Sequence, residues 1–327
     1  MNIDKLKKIG VSALAGSLVS FSVNAADWSL SGSAGINADK VDEDLATTWN
    51  MSDSIKISTS GTTDNGINVG VMFELDGGNN ASVTGSAWDD YYLSLGTDAI
   101  GTVKFWGHGG SSVMSQFDDI SPKAYEEVSD IGTINGATAD NVIGGVGNNN
   151  MFEYTSPSIG GVTLKAAYNT AANDTTLNKY NDIGVMIQPE MVEGLTVYYA
   201  QGEKQTGATT TTDVDTIAVK YAYGPVTVSY QESNGDASGS TVDQETEHYA
   251  IAYTVSDDLT ISYGKRDYDL DTTDEGTGNV TQEDTGFAIS YTMGGVSISA
   301  QKNDHDNVGG DATADGSSTS VGISFAF

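Results

Sequence analysis

The sequence predicts an all-β fold: sixteen antiparallel strands closed into a transmembrane β-barrel. Three observations predict it. Large apolar and small side chains alternate at period two along nearly the whole chain. The connections between those runs alternate between short and long, and an export signal precedes them all. Successive side chains of a strand point to opposite faces. Alternation with a small or polar second face therefore describes a wall with lipid outside and water inside.

The chain opens with the export signal. Lys5, Lys7 and Lys8 supply the positive charge, residues 9–23 are apolar, and Val23-Asn24-Ala25 is a small-x-small cleavage site. An apolar run of that length falls short of the ~20 residues a spanning helix needs. Residues 1–25 are therefore expected to be removed, leaving 26–327 as one barrel domain that starts at Ala26. No later run is apolar for long enough to cross as a helix, so strands must do the crossing.

The expected strands follow in order. Residues 28–37, 49–60, 66–75, 88–95 and 102–107 come first. Next are 151–156, 161–169 and 181–188. The second half gives 194–202, 215–223, 226–231, 247–255, 259–268, 284–293, 296–303 and 320–327. Alternation is plainest here: Tyr249, Ile251, Tyr253 and Val255 oppose Ala250, Ala252 and Thr254. Phe287, Ile289, Tyr291 and Met293 likewise oppose Ala288, Ser290 and Thr292, and the chain ends on Val321, Ile323, Phe325 and Phe327. An even strand number brings both termini to the same side.

The connections sort by parity. Tyr223-Gly224-Pro225, Ser256-Asp257-Asp258 and Gly294-Gly295 are short, with turns also expected at 64–66, 97–101, 156–161 and 189–194. Residues 38–48, 76–87, 232–246, 269–283 and 304–319 form the longer, acidic set. Short turns on one side and long loops on the other are the pattern of outer-membrane barrels. Tyr223, Tyr230, Tyr291 and Phe327 fall near strand ends, where aromatic girdles meet the membrane interface. Sixteen strands enclose a lumen wide enough for an aqueous channel.

Composition narrows the function further. There are 45 acidic residues against 14 basic ones, and losing Lys5, Lys7, Lys8 and Asp4 with the signal moves the net charge from −31 to −33. Such a surface repels nucleic acid and attracts cations. The absence of cysteine excludes thiol catalysis and cysteine metal sites. His108, His248 and His305 lie far apart, without HExxH spacing, and there is no nucleophile-elbow sequence. An outer-membrane barrel hydrolase stays as the enzyme alternative only because triads are spatial. Asp267, Asp269, Asp271, Asp274 and Glu275 begin like an oxygen-ligand calcium loop, but Gly at the sixth position and Glu at the twelfth are missing. No cofactor is expected, and weak Ca²⁺ binding at external loop carboxylates is the one metal reading.

The signal ending Val23-Asn24-Ala25, the start Ala26-Asp27-Trp28, the strand-turn-strand 151–168 and the end 321–327 resemble the general porins of Gram-negative bacteria, the sixteen-stranded trimeric family. The resemblance implies an outer-membrane homotrimer among lipid and lipopolysaccharide. It also implies passive diffusion of small hydrophilic solutes and ions, and a terminal Phe327 read by the barrel-insertion machinery. A long third external loop would fold into the pore, and by count that loop is 108–150. It carries Asp118, Asp119, Glu126, Glu127, Asp130 and Asp140 against the single Lys123.

Strand parity turns Lys56, Lys104, Lys165, Lys220 and Arg266 toward the lumen. An acidic loop edge facing a basic wall would set up a transverse field in the narrowest water. Family members often use an arginine cluster there. This wall has one arginine, so its more mobile lysines imply a softer field. The expected function is a porin that prefers cations, with a substrate-specific diffusion channel of the same fold as the alternative.

Overall fold

The computed structural model describes residues 28–41, 46–76, 88–118, 120–129, 133–134, 137–138, 147–169, 179–205, 210–238, 242–272 and 280–327. Residues 1–25, expected as the signal, lie outside them. The first strands are β1 (Ser29–Val41), β2 (Thr48–Thr62), β3 (Asn68–Asp76), β4 (Tyr91–Thr97) and β5 (Gly101–His108). A long inserted segment then holds β6 (Gly110–Ser111), the helix α1 (Val113–Asp118), β7 (Thr133–Ile134), β8 (Ala137–Thr138) and β9 (Gly147–Asn148). Next come β10 (Met151–Thr155), β11 (Val162–Asn169), β12 (Tyr180–Ile187), β13 (Leu195–Gln205), β14 (Thr211–Tyr223) and β15 (Val226–Ala237). The last five are β16 (Val242–Ser256), β17 (Leu259–Thr272), β18 (Gln282–Met293), β19 (Val296–Asp306) and β20 (Gly316–Ala326).

Strands β1–β5 and β10–β20 pair in sequence order into one closed antiparallel barrel. All sixteen expected strands are present. The ring closes where β1 meets β20, with Ile36 opposite Ile323 and Gly32 exchanging backbone hydrogen bonds with Phe327 at 2.9 and 3.0 Å. Closure removes every free strand edge, which a sheet in lipid cannot leave open. Tight turns are made by Gly224 (φ 57°) between Tyr223 and Val226 and by Gly294 (φ 62°) between Met293 and Val296. A two-residue hairpin wants positive φ, which only glycine adopts without a steric cost.

The two faces divide as the alternation requires. Val228, Ile251, Tyr253, Tyr263, Phe287, Ile289, Ile298 and Ile323 are exposed on the outside. Thr216, Ser229, Gln231, Ser262 and Ser299 are buried on the inside. Two expectations need correction. The connection 232–246 is not a long loop, because the ladder continues from Glu232 opposite Glu247 to Asp236 opposite Asp243. Backbone pairing has no need of apolar side chains, so the strands outrun the lipid and the apolar alternation ends before they do.

The lumen face is also not uniformly small and polar. Val113, Met114, Phe117 and Ile120 of the inserted segment form a buried apolar cluster with Met151, Ala167, Tyr198, Ala200, Val214 and Ala218. Part of the interior is therefore packed like a core, on the side of β10–β14.

Candidate pore constriction

The inserted segment between β5 and β10 is the longest connection, and its described parts lie against the inner wall. Its two ends are clamped together where Gly110 pairs with Asn148. The Met114 amide then donates to Asp182 Oδ2 at 2.8 Å, and the same buried carboxylate accepts from Ala167 N and Tyr180 Oη. The Phe117 ring meets Tyr198 at 5.1 Å, and its carbonyl accepts from Gln231 at 2.9 Å. Farther on, Ala124 N donates to Ser262 Oγ at 2.8 Å and Glu126 N to Gln301 Oε1 at 2.9 Å. Gln301 Nε2 returns a bond to the Glu127 carbonyl at 3.0 Å.

Space for this path comes from small inward residues. A Cβ on Gly264 or Gly286 would lie 2.9 Å from Val128 Cγ1, and one on Gly322 would lie 2.6 Å from Tyr125 Oη. The segment thus follows the inner wall from β11 round to β20. Beside it lies a cavity of about 410 Å³, lined by Asn37, Asp39, Tyr125, Glu126, Asn303 and Ser320 among others.

Three of the expected loop acids fall among the described residues. Asp118 is half-buried at the end of α1, and Glu126 is exposed. Glu127 holds its carboxylate 4.0 Å from His248 Nδ1. Asp119, Asp130 and Asp140 lie outside the described residues.

The basic wall departs from expectation. All five cations have the inward parity, yet they do not form one exposed face. Lys56 pairs with Glu74 at 3.2 Å, and Ser54 Oγ donates to the same carboxylate at 2.6 Å. Lys104 stands 3.9 Å from Glu153 and over the rings of Tyr92 and Trp106, while Trp106 Nε1 donates to Glu153 at 2.9 Å. Lys165, also within electrostatic reach of Glu153 and Lys104, donates to Gln116 of α1. Lys220 lies over the Tyr198 ring, 5.8 Å from its centroid.

Arg266 is the clearest correction. It points inward but is fully buried, with Nη2 2.6 Å and Nε 2.8 Å from Asp284 Oδ2. Burial removes it from the water that its parity suggested it would face. Desolvating a guanidinium is costly unless a carboxylate accompanies it, and Asp284 does.

Sequence reasoning passed over the wall carboxylates Glu74, Glu153, Asp182 and Asp284. Parity alone could have found them, since Glu74 lies between Phe73 and Leu75, and Glu153 between Phe152 and Tyr154. Asp267 and Asp269, considered as calcium ligands, sit inside β17 rather than in a loop. Asp267 pairs there with Lys265 at 2.9 Å. Asp274 and Glu275 lie outside the described residues.

One arrangement has the form of a hydrolytic triad. His305 Nδ1 lies 2.7 Å from Asp284 Oδ1, and its Nε2 lies 3.0 Å from Ser318 Oγ. Its surroundings point elsewhere. Asp284 is already the counter-ion of Arg266, which weakens its hold on an imidazolium. Ser318 lies within the ladder between Val41 and Asn303, where backbone amides are spent on neighbouring strands. A tetrahedral intermediate needs donors aimed at its oxyanion. The arrangement is a buried polar network that braces β17–β20.

Comparison with known proteins agrees with this geometry. A Gram-negative porin family model matches residues 10–279. No curated protein matches significantly in sequence. Among solved structures, a loop L8 deletion mutant of OmpT, an outer membrane protein of Vibrio cholerae, superposes with a TM-score of 0.71 at 12% identity. That match covers 93% of this chain and 100% of the other. An anion-selective porin from Comamonas acidovorans gives 0.66 at 16% identity, with 92% and 100% covered. A mutant of the Rh. blastica porin gives 0.65 at 17% identity over the same shares of the two chains.

Proposed function

The chain belongs to the Gram-negative porin family of the outer membrane, and on that premise we propose a passive, non-enzymatic pore for small hydrophilic solutes and ions that prefers cations and works as a homotrimer. Assembly as a trimer is supported by a similar barrel, OmpT of Vibrio cholerae, which has a trimer form. The fold alone does not set the sign of selectivity, since a barrel of like shape is an anion-selective porin. The sign must come from side chains.

The observation that carries the cation preference is the pairing of the wall lysines. Glu74 and Glu153 stand beside Lys56 and Lys104, and Arg266 is buried with Asp284. Much of the basic wall is thereby compensated locally. The described part of the loop carries three acids, Asp118, Glu126 and Glu127, against one lysine, Lys123. The water beside that loop therefore has a negative edge, and a negative potential raises the local concentration of cations. Apolar solutes would have to displace water held by these groups without replacing its hydrogen bonds. The test is a reversal potential in a salt gradient across a planar bilayer. A cation-selective potential is expected, reduced when Asp118, Glu126 and Glu127 are changed to their amides. An anion-selective native channel would overturn the reading.

A further inference from the structure

We propose that Asp89, Asp90 and His108 form a binding site for a transition-metal dication of the Zn²⁺ class at the root of the constriction loop. Among the described residues these are the three metal-ligating side chains whose donor atoms all come within 4.8 Å of one another. His108 Nδ1 lies 3.3 Å from Asp90 Oδ1 and 4.0 Å from Asp89 Oδ1. Donors bound at ~2.0–2.2 Å to one ion stand about 3–4 Å apart, so these separations admit an ion with little rearrangement.

The backbone is shaped to bring the three together. Tyr91 pairs with His108 and Tyr92 with Trp106, so the ladder slips by one residue at Gly107. That bulge turns His108 out of the alternation that sends Trp106 inward. Gly109 follows at φ 72°, and a Cβ there would lie 1.7 Å from Asp90 Oδ1. A side chain at that position would occupy the space the carboxylate uses.

The chemistry favours one class of ion. A nitrogen donor with two carboxylate oxygens suits Zn²⁺, Ni²⁺ or Cu²⁺, whereas Mg²⁺ and Ca²⁺ prefer oxygen alone. Glu74 and Asp76 stand close enough to act electrostatically on Asp89, with Lys56 paired to Glu74. A dication would relieve the crowding of these four carboxylates. The other two histidines are buried, His248 near Glu127 and His305 between Asp284 and Ser318. His108 is half-exposed, with 43% of its side chain open to solvent. Its site joins the residues just before β4 to the last residue of β5, so an ion there would tie the loop's root to the neighbouring strand.

The test is calorimetric titration of the folded protein in detergent with ZnCl₂, repeated in excess MgCl₂. Saturable binding of one Zn²⁺ per chain is expected, weakened at least about tenfold (1.4 kcal/mol) by H108A and by D89N/D90N, and not displaced by Mg²⁺. Heat-modifiable migration on gels shows that each variant is folded. Should H108A fail to fold, H108Q supplies the same test, since it keeps a polar side chain without the imidazole donor. Absence of saturable Zn²⁺ binding would overturn the proposal. So would an H108 variant with affinity within twofold of native, or displacement by an equal concentration of Mg²⁺. Each result is independent of the pore's selectivity.

Discussion

Arg266 shows how far a single residue can depart from what its position in the alternation suggests. It is the only arginine in the chain, and it points to the lumen while lending no exposed charge to the water there. Removing one partner of a buried pair leaves the other desolvated and uncompensated, at a cost of about 3–5 kcal/mol. R266M should therefore lower barrel stability by that amount, read as an earlier unfolding midpoint in denaturant. The double change R266M/D284N should recover a large part of it. A loss below about 1 kcal/mol, the scale of an exposed pair, would mean that water reaches the network. Glu74 and Glu153 make the complementary case. E74Q/E153Q should free Lys56 and Lys104 and move the reversal potential toward anions, whereas E283Q, on the outward parity of β18, should leave it nearly unchanged. Parity told which way each of these side chains points. It could not give depth or partner, because Asp284, His305 and Ser318 meet Arg266 only once four strands have been aligned.

At the scale of elements, alternation was enough to find every barrel strand, because each must satisfy lipid and water on opposite sides at once. The face assignment can be checked directly. Arg placed at Ile251 or Ile289, within the outward apolar band, should cost about 2–4 kcal/mol of stability. Arg at the inward neighbours Ala252 or Ser290 should chiefly lower conductance. Equal destabilisation on both parities would contradict the faces described here. Strand ends were less legible: β15 and β16 continue past the lipid on hydrogen bonds that leave no apolar trace. The route of the inserted segment was legible only through the family resemblance. Its seat is made by Gly264, Gly286, Gln301 and Asn303, more than 110 residues beyond the end of the loop, and no local pattern announces it.

For the molecule as a whole, net charge was the most readable property and the least specific. Carboxylates concentrate cations only within about a Debye length, ~8 Å at physiological salt and ~3 Å at 1 M. The cation preference should accordingly be largest in dilute salt and shrink as salt rises, measured as reversal potentials at a fixed concentration ratio. A preference unaffected by salt would assign it to close contacts inside the constriction rather than to the field of the whole chain. Which carboxylates matter could not be settled from composition, since Asp182 and Asp284 are spent on anchoring and on Arg266.

The meeting of Gly32 with Phe327 has a consequence for assembly. The seam of the ring joins the first strand to the last, so the final contact is also the one most distant in sequence. Pairings of high sequence separation form late, because the entropy of closing a long loop must be met before any contact offsets it. Until β20 docks, β1 and β19 each present an unsatisfied edge, the surface on which strands from other molecules would add. The ring therefore shuts where its first strand meets its last. The narrow space at Gly32, where a Cβ would lie 2.7 Å from the Phe327 ring, is where that closing step is finished.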